Sequence, residues 1–166
     1  MIRKILVAID AASIDTVLSS AIDIARRHDA TICAVHVVDP SRYFVAPLDH
    51  DCALLFDAME KHGLATVAQI KDVLDGSACT GEAHMITLPV LGMTIGNAIA
   101  SFAQESDVDL IVLGERKSGW WRLLDENVAM QVQRRSDKPI QIVSRGNAED
   151  LNPYSGTRRI ETSVAP

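Results

Sequence analysis

Short, wholly apolar runs alternate along the chain with stretches whose apolar residues recur every three or four positions. Ile5-Leu6-Val7-Ala8-Ile9 is apolar throughout and is closed by Asp10. Ile14, Val17, Ala21, Ile24 and Ala25 then follow at helical spacing. Thr31 to Val38 is a second apolar, β-branched run, ended by Asp39-Pro40, and residues 41 to 49 read as a loop. From Asp51 to Leu74 the pattern is helical, carried by Leu55, Met59, Val67, Ile70 and Leu74, with Gly63 expected to weaken its middle. Glu82 to Leu88 predicts a third strand, stopped by Pro89. Ile95, Ile99, Phe102 and Ala103 mark a third helix, Leu110 to Leu113 a fourth strand, and Gly114 to Trp121 a loop. Leu124, Val128 and Val132 mark a fourth helix, stopped by Lys138-Pro139, and Ile140 to Val143 a fifth strand.

The first, second and fourth runs are apolar on both faces, as strands need to be when helices cover both sides of a parallel sheet. The β–α alternation predicts the same architecture: a doubly wound α/β fold with a five-stranded parallel sheet and helices on both faces. Ligands in such sheets bind beyond the carboxyl ends of the strands. The segments of interest are therefore Asp10–Ser13, Asp39–Asp51, Pro89–Thr94 and Gly114–Arg122. Residues 145–166 hold Gly146, Pro153, Gly156 and Pro166 with few periodic apolar positions, so residues 1–144 are expected to form the domain and residues 145–166 a C-terminal tail.

Composition narrows the class. A chain of 166 residues with 48% hydrophobic and 23% charged residues suits one globular domain. The net charge of −6 argues against nucleic acid as a partner, since phosphate is neutralised by clustered Lys and Arg. No run is long and apolar enough to span a membrane. Met1-Ile2-Arg3-Lys4 runs straight into a strand without the features of a signal peptide, so the expected compartment is the cytoplasm. Cys33, Cys52 and Cys79 show no metal-ligand spacing and are expected to be buried or idle thiols.

Four segments together resemble the universal stress protein family. They are Lys4-Ile5-Leu6-Val7-Ala8-Ile9-Asp10, Ala30 to Val38 with its His36-Val37 ending, Asp107-Val108-Asp109-Leu110-Ile111-Val112-Leu113-Gly114, and Ser136-Asp137-Lys138-Pro139-Ile140-Gln141-Ile142-Val143. They span residues 2 to 143 in the family's order and spacing. The resemblance implies strand order 3-2-1-4-5, with a crevice between strands one and four. It also implies a nucleotide cleft at Asp10, at the backbone of Val38 and at Gly114, continuing through Arg116, Lys117, Glu126 and Asn127. Nucleotide-binding members carry G-x2-G-x9-G-[ST] from the glycine after strand four. Here that glycine is Gly114, the second position falls on Lys117, and the closing pair falls near Glu126-Asn127. The run after Gly114 is similar instead to the family's A-type branch, which lacks the glycine motif and is regarded as not binding ATP.

The residues themselves point the same way. A phosphate loop needs glycine for unusual backbone angles and close approach, and Lys117 carries a Cβ and a long side chain. Asp125 and Glu126 stand near the start of the fourth helix, where they take up the positive end that would hold a phosphate. Against this, Arg116, Lys117 and Arg122 are cations that could still hold an anion. Asp10 reads either as an acceptor for ribose or adenine or as a cap of the first helix or its loop, with Ser13 an equal N-cap candidate. Trp120 and Trp121 read as a lid or partner surface, or as packing beneath the loop.

Other groupings carry less. Asp10-Ala-Ala-Ser13-Ile-Asp15-Thr16 lacks the glycines of a pyrophosphatase loop, and Gly92-Met-Thr94-Ile-Gly96 lacks the Gly-Lys of a P-loop; Gly96 is expected to let the third helix lie close to the sheet. His50, Asp51, Cys52 and His62 point different ways on a helix. His28, His36 and His84 are scattered, His36 as a strand residue, and no nucleophile elbow is present.

The expected function is a non-catalytic stress-response or signalling protein without a required cofactor. It acts as a homodimer through the strand 140–143 and through protein partners. Two alternatives stand beside it: an ATP- or AMP-binding member with a divergent phosphate loop, and a nucleotide-cleaving α/β hydrolase.

Overall fold

The computed structural model describes residues 1–43, 52–89, 92–115 and 128–144. The strands are β1 (Lys4–Ala8), β2 (Thr31–Val38), β3 (Gly81–Thr87), β4 (Leu110–Gly114) and β5 (Ile140–Val143). The helices are α1 (Ile14–His28), α2 (Cys52–Gly76), α3 (Ile95–Glu105) and α4 (Val128–Arg135), and a 3-10 turn, Pro40–Tyr43, follows β2. All pairings are parallel and the order is β3-β2-β1-β4-β5, as expected. Among the described residues no helix is long and apolar enough to cross a membrane.

Period-two alternation divides the core into two layers. Ile5 and Val7 of β1, Ile32 and Ala34 of β2, and Leu110 and Val112 of β4 face α1 and α2, against Val17, Leu18, Ala21, Ile70 and Leu74. Leu6, Cys33, Val35, Ile111 and Leu113 face the other side, against Ile99, Ala100 and Ala103 of α3 and Val132 of α4. Ile5, Leu6, Val7, Ile111 and Val112 have no solvent exposure. Truncating one of these isoleucines or leucines to alanine removes about 2–5 kcal/mol, because the lost burial adds to the cavity left behind.

Helix α1 starts with Asp15 in its first turn and ends with Arg26, Arg27 and His28, which suits the helix dipole at both ends. It stops at Asp29, whose φ of 51° places it in the left-handed region; its N–H bonds the Ala25 carbonyl.

Two glycines differ from their expected roles. Gly63 does not interrupt α2: the helix is continuous over 25 residues, and a Cβ there would stand 2.6 Å from Met85 Sδ and 2.7 Å from Val38 Cγ2. It is the point where α2 presses onto β2 and β3. Gly96 lies not against the sheet but against α4, where a Cβ would meet Gln131 Cβ at 2.5 Å and the Val128 carbonyl at 3.1 Å.

Candidate functional site

Chain order reverses around β1: its crossover leads to β2 on one side, while β4 lies on the other. That reversal opens a crevice at the carboxyl ends of β1 and β4. β1 leaves the sheet through Ile9, whose N–H bonds the Val35 carbonyl at 3.0 Å. His36 Nδ1 lies 2.9 Å from the Ile9 carbonyl, and the ring is buried. A carbonyl only accepts, so Nδ1 carries the proton. His36 is thus a strand residue, as expected, and ties the exit of β1 to β2.

Asp10 follows at the exposed rim. Its Oδ1 accepts the Ala12 N–H at 2.8 Å, and its carbonyl accepts the Ser13 N–H at 3.0 Å and the Ser13 hydroxyl at 3.3 Å. The carboxylate therefore holds the loop and not the helix end. Ser13 is the N-cap of α1 by position, is buried, and makes no capping bond with its side chain. An Asp that locks its own turn keeps its remaining lone pairs at the rim in a fixed direction, as an acceptor for a hydroxyl requires.

The opposite wall is Gly114 at the end of β4. A Cβ on Gly114 would stand 2.7 Å from Val17 Cγ2 and 3.6 Å from Ser13 Oγ, so glycine is set here by the approach of α1. Ser13 thus touches both walls, bonding Asp10 and facing Gly114. Beyond it the Glu115 N–H bonds the Val143 carbonyl at 2.6 Å, and the Ser144 hydroxyl bonds the Glu115 carboxylate. These contacts draw the start of the loop toward β5.

Val38 stands on the same edge but turned away. Its carbonyl accepts the Leu88 N–H at 2.9 Å, which points its backbone toward β3. Backbone groups two residues apart on a strand point the same way. Val37 therefore shares the direction of Val35, toward β1, and lies past the point where β1 ends. The backbone facing the crevice is that of Val37, one residue before the position the resemblance implied. Sequence alone misses this because the phase of a strand is set by its neighbours.

The third rim is the start of α3. The Thr94 hydroxyl accepts the Asn97 N–H at 3.2 Å and donates to Gln131 Oε1 at 2.7 Å, so one residue caps α3 and joins it to α4. Arg116, Lys117, Glu126 and Asn127 lie outside the described residues, as do Trp120, Trp121, Arg122, Asp125, His50, Asp51 and residues 145–166. The described part of the site thus brings together Asp10, Ser13, Val37 and Gly114.

Comparison with known proteins gives a consistent answer. The model of the universal stress protein family matches residues 1–144. A universal stress protein of Methanocaldococcus jannaschii is 26% identical over 150 residues, covering 89% of this chain and 85% of that protein. The structure of a universal stress protein from Archaeoglobus fulgidus in complex with dAMP superposes with a TM-score of 0.56 at 25% identity, covering 86% of this chain and 98% of that one. A member of the same family from Burkholderia pseudomallei superposes with a TM-score of 0.65 at 20% identity, covering 84% and 94%.

Proposed function

Because this chain belongs to the universal stress protein family, we propose that it is a non-catalytic stress-response protein that works in the cytoplasm as a homodimer, by binding partners, with a nucleotide cleft too impaired for tight ATP binding. The observation that carries this reading is the sequence after Gly114: the second glycine of the phosphate motif falls on Lys117, and the closing pair falls near Glu126-Asn127, with no glycine at either place. Gly114 itself is held by packing against Val17, so its presence is explained without a phosphate. Among the described residues, no pair of groups around Asp10 and Ser13 has the form of a nucleophile with its base; Ser13 donates to a backbone carbonyl.

A second reading is an adenine nucleotide without a well-held triphosphate. The relative solved with dAMP favours it, as do the acceptor at Asp10 and the backbone of Val37 at the crevice. Such a ligand needs the base and ribose side of the cleft and asks little of the phosphate loop.

Calorimetric titration with Mg-ATP and with AMP tests both. The expected dissociation constant for Mg-ATP is weaker than about 100 μM, or less than about 5.5 kcal/mol of binding. Submicromolar Mg-ATP binding overturns the reading. AMP bound more tightly than ATP selects the second one. Release of ADP or AMP over a long incubation with ATP would instead place the chain among nucleotide-cleaving α/β enzymes.

A further inference from the structure

A second cluster of chemical groups lies at the other end of the sheet. Cys33 is near the start of β2, and Glu82 and His84 are near the start of β3. In register Cys33 pairs with Glu82 and Val35 with His84. Alternation puts all three side chains on the α3 side of the sheet. One ligand atom from each of the three lies within 4.8 Å of the other two. Glu82 Oε2 and His84 Nε2 are 3.4 Å apart.

We propose that Cys33, Glu82 and His84 bind zinc or a similar borderline divalent cation, with three protein ligands and a fourth position open to solvent. The spacing supports it. An oxygen and a nitrogen each about 2.0–2.1 Å from a tetrahedral zinc stand about 3.4 Å apart, and a sulfur at about 2.3 Å stands about 3.6 Å from either. The carboxylate and imidazole already have this separation, and the sulfur has to close by no more than about 1.2 Å. A mixed sulfur, nitrogen and oxygen set favours zinc and cobalt over magnesium or calcium, which prefer oxygen alone.

The surroundings fit an ion that enters from water. The Glu82 and His84 side chains are 52% and 41% exposed, while Cys33 forms a floor with no exposure. The end of α3 lies over them. Ser106 is its C-cap, and the Phe102 ring stands 5.4 Å from the His84 ring. A helix carboxyl end carries partial negative charge, which suits a cation. Lys4 opposes: its Nζ is 3.6 Å from Glu82 Oε1, so its charge competes for the carboxylate.

On binding, the thiol S–H bond breaks, its proton leaves to solvent, and the sulfur lone pair forms the metal bond. Burial first, then Glu82, pushes the Cys33 thiol up to about 11, so the ion displaces a firmly held proton and the affinity is moderated accordingly.

The test adds cobalt(II) chloride to the metal-stripped full chain and follows the sulfur-to-cobalt charge-transfer band in the near ultraviolet. The expected band saturates at one equivalent and is bleached by zinc. Cys33→Ser abolishes it, His84→Ala and Glu82→Gln each weaken cobalt binding by at least about tenfold, and Lys4→Met tightens it about threefold. Cys33 is a core residue whose serine variant can fail to fold, so the exposed His84 and Glu82 variants decide in that event. Absence of the band at millimolar cobalt overturns the proposal. So does a band that survives in folded Cys33→Ser, or unchanged affinity in both His84→Ala and Glu82→Gln. None of these outcomes depends on whether the crevice binds nucleotide.

Discussion

At the scale of single residues, close approach decides more than conformational freedom does. Gly114→Ala forces a Cβ to 2.7 Å from Val17 Cγ2, on a strand pinned between β1 and β5. Overpacking of this kind costs about 1–3 kcal/mol. Denaturant titration of Gly114→Ala should show that loss. Adding Val17→Ala should cost less than the two single changes summed, because the truncated side chain makes room. An additive result would assign the glycine to something other than α1. A second residue prediction concerns pH. The Asp109 carboxylate accepts the Arg3 N–H at 2.7 Å and the Lys4 N–H at 3.0 Å, and these two bonds hold its pKa below the ordinary 3.8. A depressed carboxylate stabilises the fold above its unfolded pKa and loses that contribution as pH falls through its folded value. The stability gap between the unaltered chain and Asp109→Asn, read as a difference in melting temperature, should be full above pH 4 or so and close below it. A gap that widens in acid contradicts the assignment. Gly63 and Gly96 show where such residue contacts escape sequence. Each touches an element distant along the chain, and local periodicity reports only which side of a helix is apolar.

At the scale of elements, the strands were legible because β1, β2 and β4 bury both faces, which leaves continuous apolar runs. Their ends were less so. β1 stops at Ala8, one residue before the apolar run does, since Ile9 has already turned out of the ladder with β4. The shift from Val38 to Val37 has the same origin: which backbone groups face the crevice depends on where neighbouring strands end. The cluster of Cys33, Glu82 and His84 was not visible because its members come from two strands that are distant in sequence and meet only through register. The segment of sequence before α4 gives the element-scale prediction. If bulk at Lys117 and charge at Glu126 obstruct phosphate, Lys117→Gly with Glu126→Gly and Asn127→Ser should strengthen Mg-ATP binding by at least about 1.4 kcal/mol, a factor of ten, by calorimetry. No gain would leave the family membership intact and point to another obstruction, with Trp120 and Trp121 the first to truncate.

At the scale of the whole molecule, β5 is an edge strand that the described residues of this chain pair on one side only. Its Ile142 is half-buried and belongs to neither core layer. An unpaired apolar edge invites a strand from another copy, and a two-fold axis pairs like with like. Light scattering at micromolar concentration should therefore give the mass of a dimer. Ile142→Lys, which sets like charges against each other across the axis, should give a monomer with unchanged secondary structure. A monomeric unaltered chain removes the proposed assembly. The central place of β1 has a further consequence, in time. The ribosome adds about 5–20 residues per second, so the partner strand β4 follows β1 after some 5–20 seconds of further synthesis. Until then β1 pairs only with β2, and its other edge, with residues that end fully buried, is open while α1, β2, α2 and β3 are already made. The order that creates the crevice also leaves the nascent first half without the strand that covers β1 on its other side. Its protection during translation is as much a requirement of this topology as the site it builds.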